Sequence, residues 1–251
     1  MTRSMLSALV FAVVSTGAIA TSPTGQKAAE GMPPGYSSAF SRATESVGVD
    51  AVDGQLAGQL PHLRERAGKS DVTAAMQLFV SLGACQAMAS RPSSPSDAAN
   101  FAAHCAGVTA DDMSEVGKWL ELSAELGNTY AQYSYAQGGF DYVLGLERAK
   151  KDPAALAAYA AKSKAYLYGL AKQCNIDAIG ALARDLGRDG FVFRKDVDQA
   201  YKYLVISQTI ARVSFSYDAQ NRAELEKQIS PASKIVGLRS EAAVFVEQYC
   251  R

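Results

Sequence analysis

The feature that most constrains this chain is an internal repeat. The segment WLELSAELGNTYAQYSYA beginning at Trp119 aligns without gaps to YLYGLAKQCNIDAIGALA beginning at Tyr166, a shift of about 47 positions. Trp119 and Tyr166 supply a large aromatic, Leu120 and Leu167 follow it, and Ala124 and Ala171 come next. Asn128 and Asn175 begin the following segment, where Ala131 matches Ala178 and Ala136 matches Ala183. The aromatic-Leu signal returns at Tyr203-Leu204, about 37 positions after Tyr166. Upstream, TAAMQLFVSLG from Thr73 aligns with DAIGALARDLG from Asp177. Alanine where two helices cross permits close approach, and the aromatic and leucine fill the groove against the next unit. The ladder predicts helix, tight turn and helix, repeated.

Helical periodicity supports this. Val197, Ala200, Tyr201 and Leu204 form one apolar stripe behind Asp196, a candidate N-cap. Around Trp119, Val116, Leu120 and Ala124 share one face while Trp119, Leu122 and Leu126 share another, as in a helix stacked between neighbours. Asn128 and Asn175 are expected to cap the helices they begin, and Gly127, Gly187 and Gly190 to supply turn conformations. No alternating strand pattern occurs, so the expected class is all-α. Pro61 and the stretch SRPSSPSD from Ser90 to Asp97 are expected breaks. Ser216 to Gln228 and Pro231 to Tyr249 are a closing helical pair, with Pro231 in the first turn of the last helix.

These residues resemble the Sel-one-like repeats, a branch of the tetratricopeptide-like helical repeats. Lys118-Trp119-Leu120, Ser123-Ala124-Glu125-Leu126-Gly127-Asn128 and Ala131-Gln132 carry the likeness to that family's second helix running into the first helix of the next unit. Leu182-Ala183, Leu186-Gly187, Gly190, Val192 and Asp196 to Leu204 resemble a helix, glycine-containing loop and second helix. The likeness covers residues 71–207. Ala183 departs from the usual glycine and Leu186 from the usual tyrosine, and Ser90 to Asp112 is an insertion. The resemblance implies a right-handed α-solenoid and a role in binding proteins.

The first 20 residues place Arg3 before an apolar run from Met5 to Val14 and close on Ala18-Ile19-Ala20, the pattern of a secretory signal peptide. Residues 21–37, rich in Pro, Gly and small polar groups, are expected to be a flexible linker, leaving 38–251 as the helical-repeat domain. The expected location is periplasmic or secreted, with no membrane span after cleavage. The 4 cysteines, Cys85, Cys105, Cys174 and Cys250, are an even number in an exported chain and are expected to form two disulfides. Three connectivities are open; pairing the nearest neighbours Cys85 and Cys105 leaves Cys174 with Cys250. No close Cys pair suggests a metal site.

Chemistry-bearing clusters are sparse. The 2 histidines, His62 and His104, limit any triad or multi-histidine centre. Asp111, Asp112 and Glu115 are the acidic opening of a helix rather than carboxylates facing across a cleft. Gly138-Gly139 and Gly187-x-x-Gly190 lack the lysine and context of a phosphate loop. Equal totals of 25 basic and 25 acidic residues argue against a nucleic-acid partner. Tyr166, Tyr201 and Tyr203 are expected to pack between repeats. Tyr130 and Tyr133, three apart on one face and matched by Asp177 and Gly180 in the next unit, are not required by the repeat and are the candidate contacts for a protein partner. The expectation is a non-enzymatic protein-binding module without a cofactor. The alternatives are an inhibitor or immunity-type protein, or a hydrolase acting on envelope polymer through acids such as Glu121 or Asp141.

Overall fold

The computed structural model describes residues 55–90, 99, 102–211 and 216–251, all within a unit spanning 33–251. The expected signal peptide, the expected linker and most of SRPSSPSD lie outside the described residues. Among the described residues every regular element is a helix: α1 (Leu56–Gly68), α2 (Val72–Ala89), α3 (Ala110–Ser114), α4 (Val116–Glu125), α5 (Thr129–Gly138), α6 (Phe140–Val143), α7 (Leu146–Lys151), α8 (Pro153–Lys172), α9 (Ile176–Asp185), α10 (Val197–Ala211), α11 (Ser216–Gln228) and α12 (Lys234–Tyr249).

One junction recurs. After α4, Gly127 N–H donates to Ala124 O (3.1 Å) and Asn128 N–H to Ser123 O (3.0 Å). After α8, Cys174 N–H donates to Ala171 O (2.9 Å) and Asn175 N–H to Leu170 O (3.1 Å), the same bonds one repeat later. After α1, Ser70 and Asp71 make them to Ala67 O (2.9 Å) and Arg66 O (3.2 Å). The first residue of each pair is left-handed: φ is 65° at Ser70, 92° at Gly127 and 56° at Cys174. The second caps the next helix. Asp71 Oδ1 accepts from Thr73 and Ala74 N–H (both 3.0 Å), Asn128 Oδ1 from Ala131 N–H (2.9 Å) and Asn175 Oδ1 from Ala178 N–H (3.0 Å). Each junction satisfies two of the carbonyls ending one helix and at least one of the amides starting the next, all within two residues. Only Gly127 of the three expected turn glycines is left-handed; Gly187 and Gly190 are not, because the longer loop from Leu186 to Asp196 reverses the chain without that conformation. Asp196 caps α10, accepting from Gln199 N–H (3.0 Å).

The helices pack in chain order: α1 on α2, α2 on α4, α4 on α5, α5 on α8, α8 on α9, α9 on α10, and α10 on both α11 and α12. The buried side chains form successive groups. Leu56, Leu60, Leu63, Leu78, Leu82, Val116 and Trp119 join α1, α2 and α4. Met76, Leu120, Ala124, Ala131, Tyr135 and Tyr159 join α2, α4, α5 and α8. Leu167, Leu170, Ala171, Ala178, Ile179, Leu182, Ala200, Tyr203 and Ile206 lie in the next group, which reaches α12. Leu204 is also buried, whereas Tyr166 is only half-buried and packs its ring edge-on against Tyr135 at 5.4 Å. Helix α2 has the length and hydropathy of a membrane span, yet Ala74, Ala75, Leu78 and Leu82 are covered by its neighbours.

Two proline expectations are corrected. Pro61 lies inside α1 rather than breaking it. It is exposed, and the buried row Leu56, Leu60, Leu63 and Ala67 continues past it on the other side. An interior proline costs about 3 kcal/mol, which three buried leucines at about 1.5–3 kcal/mol each outweigh. Pro231 precedes α12 instead of opening it; its carbonyl accepts from Lys234 N–H (3.0 Å) in a turn ahead of the helix.

Cys85–Cys105 joins α2 to the short helical turn at 102–105, and Cys174–Cys250 joins the α8–α9 junction to the end of α12. Two disulfides fit an oxidising compartment. At the C-terminal end Arg239 Nε donates to Tyr201 Oη (2.7 Å), Tyr201 Oη donates to Glu226 Oε1 (2.8 Å), and Arg239 Nη2 also reaches Glu226 (2.8 Å). This network ties α10, α11 and α12 together.

The tight approach of α6 to α4 generates an opposing pair of outcomes. A Cβ on Gly117 would lie 2.0 Å from the Tyr142 carbonyl oxygen, whereas one on Gly180 would meet nothing within 4 Å. Gly117→Ala is expected to destabilise by about 1–3 kcal/mol, and Gly180→Ala, inside α9, to stabilise by about 0.4–1 kcal/mol. Urea denaturation of the oxidised protein measures both.

Candidate functional site

Tyr130, Tyr133 and Gln137 stand on one side of α5 at helical spacing. Both tyrosines are half-buried. Tyr130 packs into the group containing Met76 and Leu120, while Tyr133 packs into the group containing Ile179 and Leu182. The two therefore join α5 to two successive apolar groups. Burial raises the Tyr133 phenol above its ordinary pKa; Asp177 adds to this and Arg184 opposes it.

Beside Tyr133 a polar seam joins α5 to α9. Gln137 Nε2 donates to Asp185 Oδ2 (2.8 Å), and Arg184 Nη2 donates to Gln137 Oε1. Arg184 Nε and Arg188 Nη2 each reach Asp185 Oδ1 at 3.1 Å. Gln137 and Arg184 are 47 positions apart, so residues at the same place in successive units touch. Gln137, Arg184 and Asp185 were not among the sequence candidates. The repeat alignment itself would have paired Gln137 with Arg184, but only packing shows that the pair is in contact. The seam offers an amphipathic phenol, a guanidinium and an amide on one face, groups suited to recognising a peptide surface.

The acids considered for hydrolysis are otherwise engaged or isolated. Lys162 Nζ donates to Glu121 Oε1 (2.8 Å) and Glu125 Oε1 (2.5 Å) and lies 5.6 Å from the Tyr135 ring centroid. Burial works against the Lys162 charge, but the two carboxylates outweigh it and raise its pKa. Asp141 is exposed on the single turn α6. Tyr159 Oη, whose pKa burial pushes up to about 12, donates to Tyr135 O (2.5 Å). His62 is exposed on α1 and His104 is half-buried beside the Cys85–Cys105 bridge. Among the described residues no group of three or more His, Cys, Asp or Glu side chains is arranged to hold a metal ion.

Asp111, Asp112 and Glu115 open helices as their sequence pattern indicates. Thr109 and Asp112 form a reciprocal capping box at α3. Arg64 on α1 reaches Asp112 Oδ1 (2.6 Å) and Glu115 Oε2 (2.8 Å), and Trp119 Nε1 donates to Glu115 (3.2 Å). The Thr109 hydroxyl and amide, with Arg64, lower the Asp112 pKa from 3.8 to about 2. A carboxylate with a depressed folded-state pKa contributes stability above its unfolded value and loses it as pH falls through the folded one. Stability is therefore expected to fall as pH drops from about 4 toward 2, and Asp112→Asn to flatten that part of a melting-temperature profile while lowering stability at neutral pH.

No protein-family model matches the chain, and neither a curated protein nor a solved structure matches it.

Proposed function

We propose that the protein is an exported, non-enzymatic interaction module of Sel-one-like repeats, a right-handed α-solenoid of tetratricopeptide-like helix pairs that binds a protein partner in the periplasm or outside the cell. The observation that carries this reading is the junction repeated at Ser70-Asp71, Gly127-Asn128 and Cys174-Asn175, between helices that pack in chain order. Such an array presents an extended surface built from equivalent positions of successive units. Along α5 and α9 that surface carries Tyr130, Tyr133, Gln137 and Arg184. The two disulfides support an oxidising location, which agrees with the signal-peptide pattern of the first 20 residues.

Crosslinking of tagged protein beginning at Thr21 to native envelope and secreted fractions, followed by mass spectrometry, tests the reading. A saturable protein partner is expected. Tyr133→Ala should weaken its capture by at least about tenfold, the loss of a moderate interface anchor, with an unchanged circular-dichroism spectrum. Retention on peptidoglycan in place of a protein, with polymer hydrolysis abolished by Glu121→Gln or Asp141→Asn, would replace the module by a hydrolase.

A further inference from the structure

The two disulfides divide the chain at a definite place. Cys85–Cys105 closes before residue 106 and Cys174–Cys250 after residue 173, so only the backbone links the parts on either side of 106–173. A cut between Cys85 and Cys105, or between Cys174 and Cys250, leaves its products joined through sulfur. A cut within 106–173 instead divides the protein into two chains that each keep one bridge. The long excursion of residues 139–152, between α5 and α8, lies inside that interval and carries the paired lysines Lys150 and Lys151 on α7.

Helix α7 is weakly held. Its 6 residues, LERAKK, bury only Ala149. Leu146 is 57% exposed, and Arg148, Lys150 and Lys151 face solvent. Gly145, at φ 72°, precedes the helix without a side-chain cap, and Asp152 ends it in a non-helical conformation (φ −131°, ψ 82°). Pro153 follows and has no N–H with which to prolong the hydrogen bonding. A helix this short is unstable by itself, and local opening costs least where few apolar groups are buried. The segment can therefore open into the extended form that a protease cleft requires while α5 and α8 stay folded.

The interval's other lysines stand on helices that the core secures. Lys118 is on α4, which buries Val116, Trp119, Leu120 and Ala124. Lys162, Lys164 and Lys172 are on α8, which buries Tyr159, Leu167, Leu170 and Ala171. Outside the interval, Lys69 is fixed in the α1–α2 junction, where its N–H donates to Arg66 O (2.9 Å). The contacts between the two parts also bypass α7. Tyr159 Oη donates to Tyr135 O (2.5 Å), Lys162 Nζ to Glu121 Oε1 (2.8 Å) and Gln137 Nε2 to Asp185 Oδ2 (2.8 Å). Leu120, Ala131, Tyr135 and Tyr159 share one apolar group across the same boundary. Severing α7 thus leaves the packing between the parts in place.

We infer that Lys150-Lys151 is a processing site for an endoprotease that reads basic side chains, and that the cut protein is a stable two-chain molecule. Hydrolysis adds one water across the peptide bond after Lys150 or after Lys151, leaving a carboxylate on that lysine and an amine on the next residue. The exposed ammonium is the group that an acidic specificity pocket takes. The inference requires neither a partner nor the surface at Tyr133, so it stands apart from the binding-module reading.

Limited digestion of the oxidised protein beginning at Thr21 with a lysine-specific endoprotease tests it, read on a denaturing, non-reducing gel. The first cut within the described residues should give two unlinked chains that meet after Lys150 or Lys151 by mass spectrometry. Those chains should co-elute with the intact protein on size exclusion under native conditions. The double variant Lys150→Gln, Lys151→Gln, at exposed positions, should slow this cut at least about tenfold with an unchanged circular-dichroism spectrum. Protein isolated from its native source should include a chain beginning at Lys151 or Asp152. A first cut after Lys69, Lys118, Lys162, Lys164 or Lys172, or an undivided chain, would overturn the inference. So would halves that separate on size exclusion, or native protein without the new N-terminus. Capture of a partner through Tyr133 moves none of these outcomes.

Discussion

The rest of the structure depends on one small backbone device, a left-handed residue followed by a side chain that caps the next helix. Placed after α1, α4 and α8, it turns the chain back within two residues while bonding carbonyls that end one helix and amides that start the next. A turn this short allows only one arrangement, the incoming and outgoing helices side by side. That the same position is filled by serine, glycine and cysteine shows that the geometry matters more than the residue. Left-handed backbone costs a non-glycine residue about 1–2 kcal/mol. At Cys174 that residue also supplies the sulfur that reaches Cys250, so one position serves both the turn and the covalent closure of the C-terminal helix.

Because each helix rests chiefly on its chain neighbours, stability is distributed along the array rather than held in one centre. Consecutive apolar groups share helices, with α2 and α4 contributing to two of them, and this sharing couples one unit to the next. The end of such an array is exposed to fraying. Here Cys174–Cys250 and the Tyr201, Glu226 and Arg239 network hold α12 against the units before it. The other bridge, Cys85–Cys105, serves an insertion that the repeat does not require, tying it back to α2.

Short junctions on one edge leave little freedom for variation, whereas the opposite edge holds the long excursions. There the exposed ring of Phe191 meets Phe140, while Phe193 of the same loop packs into the core. The α5–α9 seam is different in kind. Its groups belong to equivalent positions of the repeat, and their hydrogen bonds hold two units in register as well as presenting a surface.

The sequence by itself determined the local structure: helix period, the caps at Asn128, Asn175 and Asp196, the matched small and large residues, and the α11 boundaries at Ser216 and Gln228. These follow from interactions within a few residues, which periodicity and residue type record directly. It did not show that Ser70-Asp71 forms the same junction as Gly127-Asn128, because the residue types differ and only the backbone angles agree. Nor did it show that α1 continues through Pro61, since the burial that outweighs the proline is supplied by α2 and α4. Tertiary structure alone chose which cysteines meet, that Glu121 is held by Lys162, and that Phe140 and Phe191 come together from excursions far apart in the chain. The reason is physical: such pairings depend on the stacking of helices, a sum of many small contacts over distant residues that no single motif in the chain encodes.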